Sequence, residues 1–154
     1  MSKQKRLLIL SCSARKTDAG LCRAIDRYQG PSFFVVRRWL RQNNLENTVI
    51  WIVSAKYGLI GTGKMTSHYD LALTPQRAAF LARTIRVQFQ VLNKFSFEAA
   101  PPSSVFCHLP KNYRDAIDDY ISSFPVKIEF AKGAPGEKLR QLKDWLEGNN
   151  GFGK

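Results

Sequence analysis

The chain has 154 residues, 44% of them apolar, which is enough for one domain with a single core and leaves no room for a second. Its 24 Lys+Arg against 12 Asp+Glu give a formal charge of +12, which turns the expected partner towards polyanions, nucleic acid or nucleotide first and anionic lipid after them. No run approaches the ~20 apolar residues that cross a bilayer, and the three cysteines, Cys12, Cys22 and Cys107, contain no CxxC, so free thiols in a cytoplasmic protein are expected rather than a disulfide framework.

The cations Lys3, Lys5 and Arg6 precede only four strongly apolar residues, too few for an export signal. Those four, Leu7-Leu8-Ile9-Leu10, read as a buried strand that ends abruptly in Ser11, Cys12, Ser13, Arg15 and Lys16. A short helix is expected over residues 21–28, interrupted by Gly30-Pro31, with Pro31 opening a second helix. Phe33, Val36, Trp39 and Leu40 form that helix's apolar stripe, leaving Arg37, Arg38 and Arg41 for solvent.

Residues 48–54, Thr-Val-Ile-Trp-Ile-Val-Ser, are β-branched, aromatic and too continuous to be half exposed, so they predict a central strand. It too ends in small and basic residues, Ser54-Ala55-Lys56-Tyr57-Gly58. Residues 59–74 read as a long loop carrying His68-Tyr69-Asp70, and loops of that length in compact domains are commonly functional. Thr74-Pro75 then caps and starts a helix to about residue 93, with Phe80, Leu81, Ile85, Phe89 and Leu92 on one face and Arg83, Arg86, Gln90 and Lys94 on the other. Between residues 71 and 97 there is no acidic side chain, so Arg83, Arg86 and Lys94 are candidates for backbone phosphates or simply solvated cations, and Arg15, past the first strand, is a further candidate.

A third strand over 104–108 ends in Cys107 and His108; a helix over 112–121 follows, then an edge-like alternating strand over 125–130 and a last helix with Leu139, Leu142, Trp145 and Leu146. Alternating strands and helices predict a single three-layer α/β domain over residues 1–147, with a mainly parallel sheet of about four or more strands and a flexible tail over 148–154. In such folds ligands sit beyond the carboxyl ends of the strands, where helix N-termini also aim their free N–H groups. That rim would gather Ser11, Cys12, Ser13, Lys16, Ser54, Lys56, Tyr57, Gly58, His68, Tyr69 and Asp70.

Lys16 and Lys56 suit a phosphate, or, by depressing each other's pKa, a nucleophile or base; the alternative is two solvated lysines. Cys12 can be an activated thiolate or a small thiol packed under the turn. Asp70 is fit to orient a sugar hydroxyl or act as general base, with Tyr69 to stack on a base; structurally, Asp70 would cap a turn or pair with Lys56. Cys12, His68, Cys107 and His108 have no recognised metal-ligand spacing, and neither GxxxxGK[ST] nor a GxGxxG after the first strand occurs, so no metal and no cofactor is expected.

Four segments taken in order, residues 9–16, residues 24–33, Val53-Ser54-Ala55-Lys56-Tyr57-Gly58-Leu59-Ile60 and His68-Tyr69-Asp70-Leu71, resemble the YaaA-like superfamily. The closer branch is the small bacterial and phage domains with a CSxxK start and an SAKxGL segment, and residues 136–146 are similar to that branch's ending. The resemblance implies an α/β fold and, as in the peroxide-stress members, association with DNA through a basic cleft. Similar CSxxK segments in enzymes of deazaguanine nucleoside modification, such as archaeosine synthase, imply nucleobase chemistry in the wider group. This chain is much shorter than the peroxide-stress members, with Ser-Cys-Ser-Ala-Arg-Lys in place of their Ser-Pro-Ala-Lys type of start, and has little room for a separate helical DNA-binding insertion. The expected function is therefore a nucleic-acid- or nucleotide-directed protein, modifying a base or cleaving an N-glycosidic bond in its enzymatic form. The other expectation is a non-catalytic module that docks nucleic acid or protein through its basic helix face.

Overall fold

The computed structural model describes residues 4–148. The first apolar run forms β1 (Arg6–Ser11), in which Leu7, Leu8, Ile9 and Leu10 are wholly buried. The chain then turns back on itself, and Lys16 meets Tyr28 in an antiparallel bridge. In place of one helix over 21–28 there are β2 (Cys22–Arg23) and the four-residue α1 (Ala24–Arg27). The cause is tertiary: Ala24 and Ile25 donate their N–H groups to the Lys64 and Thr62 carbonyls, and Tyr28 turns extended to reach Lys16.

Gly30 precedes α2 (Pro31–Leu40), which buries Phe33 and Val36. Arg38 and Arg41 face solvent as expected, but Arg37 does not: its guanidinium donates to the Ile25 and Tyr28 carbonyls, both at 2.8 Å, and so braces α1. β3 (Thr48–Ser54) reverses into β4 (Gly58–Gly61) through Gly58, whose φ of +80° lies in the left-handed region that glycine adopts without a Cβ clash. β5 (Met65–Thr66) pairs antiparallel with β2. The first half of the expected loop over 59–74 thus carries β4 and β5, and residues 67–74 remain as an irregular strap. Its apolar pair Leu59 and Ile60 is what makes β4 pair and bury rather than loop.

The helix α3 (Pro75–Phe97) starts on a Thr74 cap, whose hydroxyl accepts from the Arg77 N–H. It runs one turn past the expected end because Phe97 packs edge-on against Trp51. Leu81, Ile85 and Phe89 face the core, whereas Phe80, expected with them, is 73% exposed. β6 (Val105–His108) leads to α4 (Lys111–Asp115) and α5 (Asp118–Ile121), which split the single helix expected there: Ile117, at φ −124°, leaves helical geometry, and both Ile117 and Ile121 bury. β7 (Ile128–Phe130) and α6 (Pro135–Leu146) complete the chain, and the expected tail lies, from residue 149, outside the described residues.

The main sheet has the order β4-β3-β1-β6-β7, parallel except for the antiparallel edge strand β4. One face carries α2 and α6, where Phe106 stacks on Trp145; the other carries α3 and α5, where Trp51 sits among Phe89, Phe97 and Phe124. The protein is therefore a three-layer α/β domain. From β1 the chain crosses to β3 on one side, and from β6 to β7 on the other, so the topological switch point falls between β1 and β6. Among the described residues no helix is long and apolar enough to cross a membrane.

Candidate functional site

At the carboxyl end of β3 a buried hydroxyl triangle joins Ser54 to the strap and to Tyr28, the residue that pairs with Lys16. Tyr69, from the strap, has its hydroxyl 2.7 Å from both Tyr28 Oη and Ser54 Oγ, and the last two are 3.3 Å apart. Ser54 Oγ also accepts the N–H groups of Lys56 and Tyr57, at 3.2 and 3.0 Å, and so shapes the turn out of β3. Burial pushes the Tyr28 hydroxyl up to about 12 and holds Tyr69 higher still, with Cys12 and Tyr28 adding to the effect. The two phenols are therefore held protonated at neutral pH, and the three hydroxyls fasten the strap to the end of β3. With Tyr69 only 7% exposed, its ring is not an open face for a base.

What lies on that ring is cationic. Lys16 Nζ sits 4.4 Å from the Tyr69 centroid and Lys56 Nζ 5.8 Å, while Lys56 and Lys64 lie 5.3 and 5.9 Å from the Tyr57 centroid. Lys56 Nζ also donates to Ser67 Oγ at 3.3 Å, and the Tyr57 hydroxyl takes the Ser67 N–H at 2.9 Å. Burial alone would raise the Tyr57 hydroxyl, but its bonds to Ser67 and the adjacent Lys56 ammonium outweigh that and leave it below the ordinary phenol. None of the three lysines has a carboxylate partner among the described residues. Asp70 is exposed at the strap, forms no ion pair among the described residues, and so is not the partner of Lys56.

The remaining expected residues fall into supporting positions. Ser13 Oγ donates to the Arg15 carbonyl at 2.7 Å and accepts the Gly30 N–H at 3.1 Å, pinning the turn after β1 to the start of α2. Cys12 is buried beside the switch point, its thiol donating to Tyr113 Oη of α4 at 3.5 Å. His68 lies 3.5 Å from Asp18 on the surface, a tie between the strap and residues 17–20. Arg15 is exposed beside the rim, Ser11 ends β1, and Gly58 makes its turn. Arg83, Arg86 and Lys94 are exposed on α3, away from the strap. Cys107 and His108 are successive residues of β6, and no group of three or more His, Cys, Asp or Glu side chains among the described residues could hold a metal ion. A cavity of about 390 Å³ between α2 and α6, lined by Trp39, Asn43, Lys143 and Leu146, shares its walls with one at Arg6 and Thr48, the opposite end of the strands from the rim.

Sequence reasoning passes over the residues that position this rim. Arg27 is wholly buried, with its guanidinium donating to the carbonyls of Thr17, Ala19, Gly20 and Thr66 and to Thr66 Oγ1. Arg77 donates to the Ala55 and Lys56 carbonyls, and Gln88 spans the Gly58 turn, taking the Leu59 N–H and donating to the Tyr57 carbonyl, each at 2.7 Å. Gln88 is the one with a sequence signal: a polar residue next to the Ile85–Phe89 face. Nothing local distinguishes Arg27 from the other arginines.

The fold and the rim define a class: a small three-layer α/β protein whose β1 and β3 ends, closed by a strap, carry uncompensated lysines. Residues 7–144 match the family of unknown function DUF6884, and the chain belongs to that family. A comparison with curated proteins finds no match.

Proposed function

We propose that the rim binds the phosphates of a nucleic acid or nucleotide, with Lys16, Lys56 and Lys64 as the charged contacts and Arg15, Ser67 and Tyr57 beside them. One observation carries this reading: three ammonium groups converge on two tyrosine rings with no carboxylate among the described residues to neutralise them. Cations held that way remain available to an anion, and aromatic seats fix their positions at little desolvation cost. The resemblance to the YaaA-like superfamily, and a cytoplasmic setting for three free cysteines, belong to the same proposal.

The test is fluorescence anisotropy with labelled single-stranded and duplex oligonucleotides, DNA and RNA, over a series of NaCl concentrations, with unlabelled nucleotides as competitors. Binding should weaken steeply with salt, and Lys16→Ala with Lys56→Ala should weaken it at least tenfold. Unchanged affinity in that double variant would remove the rim from consideration. In the enzymatic form of the proposal, the unpaired Asp70 carboxylate serves as general base for base modification or N-glycosidic cleavage beside the lysines. Mass spectrometry of nucleosides and DNA incubated with wild type and Asp70→Asn checks it: released or altered base is expected with wild type alone, and no product from any substrate counts against it.

A further inference from the structure

The long helix α3 has two apolar faces, and the core uses only one. Leu81, Ile85 and Phe89 bury against the sheet, while Phe80, Val87, Val91 and Phe95 are 73, 53, 62 and 89% exposed. Their spacing of seven, four and four residues sets them on one line, which spans about 22 Å of helix. Along one flank run Arg83, Arg86, Gln90 and Lys94, all exposed and, among the described residues, without an ion pair. An apolar ridge of this kind needs no such length or flank for folding; it marks an interaction surface.

Charge decides what covers it. In an antiparallel pair of copies across a two-fold axis, each basic flank would face its own copy; in a parallel pair it would face Arg77 and Gln88. Residues 71–97 contain no Asp or Glu, so in neither arrangement does the facing α3 helix itself offer a counter-charge. We propose that the ridge docks an acidic amphipathic helix of a partner protein, with apolar side chains at heptad spacing packing on Phe80, Val87, Val91 and Phe95 and Asp or Glu side chains meeting Arg83, Arg86 and Lys94. This surface works independently of the rim.

The probe is a synthetic helical peptide with leucines at heptad spacing flanked by glutamates, titrated into the full chain by calorimetry. A peptide with the same leucines flanked by lysines is the control. The glutamate peptide should bind and the lysine peptide should not, and NaCl should weaken binding. Val91→Asp with Phe95→Asp, and separately Arg83→Glu with Arg86→Glu, should each weaken it at least tenfold while circular dichroism stays that of wild type. Lys16→Ala with Lys56→Ala should leave it unchanged. Failure of the glutamate peptide to bind, binding indifferent to both α3 variants, or equal binding of the lysine peptide would overturn the proposal. So would a wild-type dimer in sedimentation that Val91→Asp with Phe95→Asp dissolves, since a second copy would then own the ridge.

Discussion

The Tyr69 hydroxyl lies 2.7 Å from Ser54 Oγ, which fastens the strap over residues 67–74 directly to the end of β3. Removing that hydroxyl while keeping the ring separates the strap's anchorage from the seat of the lysines. Tyr69→Phe removes both hydrogen bonds of that hydroxyl and leaves only the longer Tyr28–Ser54 one, so it should cost about 1–3 kcal/mol, and leave oligonucleotide affinity within about threefold because the aromatic seat survives. Tyr69→Ala should cost about 3–5 kcal/mol and lose the affinity as well. Urea denaturation alongside anisotropy reads both.

Arg27 is buried without a carboxylate partner among the described residues; the carbonyl oxygens of Thr17, Ala19, Gly20 and Thr66 satisfy it instead. Arg27→Met would leave several of those oxygens buried and unpaired, at about 1–3 kcal/mol each before relaxation. We expect loss of at least about 3 kcal/mol, with Arg27→Lys nearly as damaging because an ammonium lacks the five-donor fork. Chemical denaturation of the two variants checks the ranking.

Two glycines are predicted to be intolerant for different reasons. At Gly30 an added Cβ would come within 2.8 Å of Ser13 Cβ, so alanine pushes the turn after β1 off the start of α2. At Gly58 the φ of +80° is strained for any L side chain, and the new Cβ meets the Gln88 amide. Gly58→Ala should cost about 1–2 kcal/mol; Gly58→Asn, which tolerates the left-handed region, should be less harmful on backbone grounds alone. Thermal unfolding of the three variants measures this.

Burial holds the His108 imidazole below its ordinary 6.5, with Lys138 adding to the effect and a backbone hydrogen bond opposing it. The unfolded chain therefore binds the proton more readily, so stability should fall as pH drops through 6.5 towards the lower folded value and level off beyond it. His108→Gln should flatten that slope. On the alkaline side burial raises the Cys107 thiol from 9.0 to about 12 and the Tyr28 hydroxyl from 10.0 to about 12. The contribution of these two groups is complete below pH 9 and should decline as pH climbs from there. Urea midpoints across the pH range test both limbs.

The same burial predicts thiol selectivity. Cys107 should resist alkylation in the native protein at neutral pH, whereas the half-buried Cys22 should react. Mass mapping after a brief iodoacetamide pulse distinguishes them, and prompt labelling of Cys107 would contradict its place in the core.

The main strands were legible because their apolar runs are long and continuous: residues 7–10, 48–54 and 104–108 each became buried strands of one sheet. What sequence periodicity could not supply were elements defined by distant partners. β2 and β5 are two residues each and exist only because they pair with one another. The helix expected over 112–121 breaks where burying Ile117 outweighs helical continuity. Phe80 fits the buried stripe by spacing alone, yet it lies one position around the helix from Leu81, and the sheet covers only the latter. At the rim, strand-end logic brought Lys16, Lys56 and Tyr69 into view, but the inward turn of Tyr69 depends on hydroxyl partners from two other segments.

Tyr69 is anchored in the strap by neutral hydroxyls and Leu73 by the Asn112 amide, whereas the proposed ligand contacts are ammonium groups. Dissolved salt screens the second kind of bond and hardly touches the first. A concentrated-salt wash should therefore strip any anion carried through purification from an otherwise intact protein, and dilution should restore a rim ready to refill.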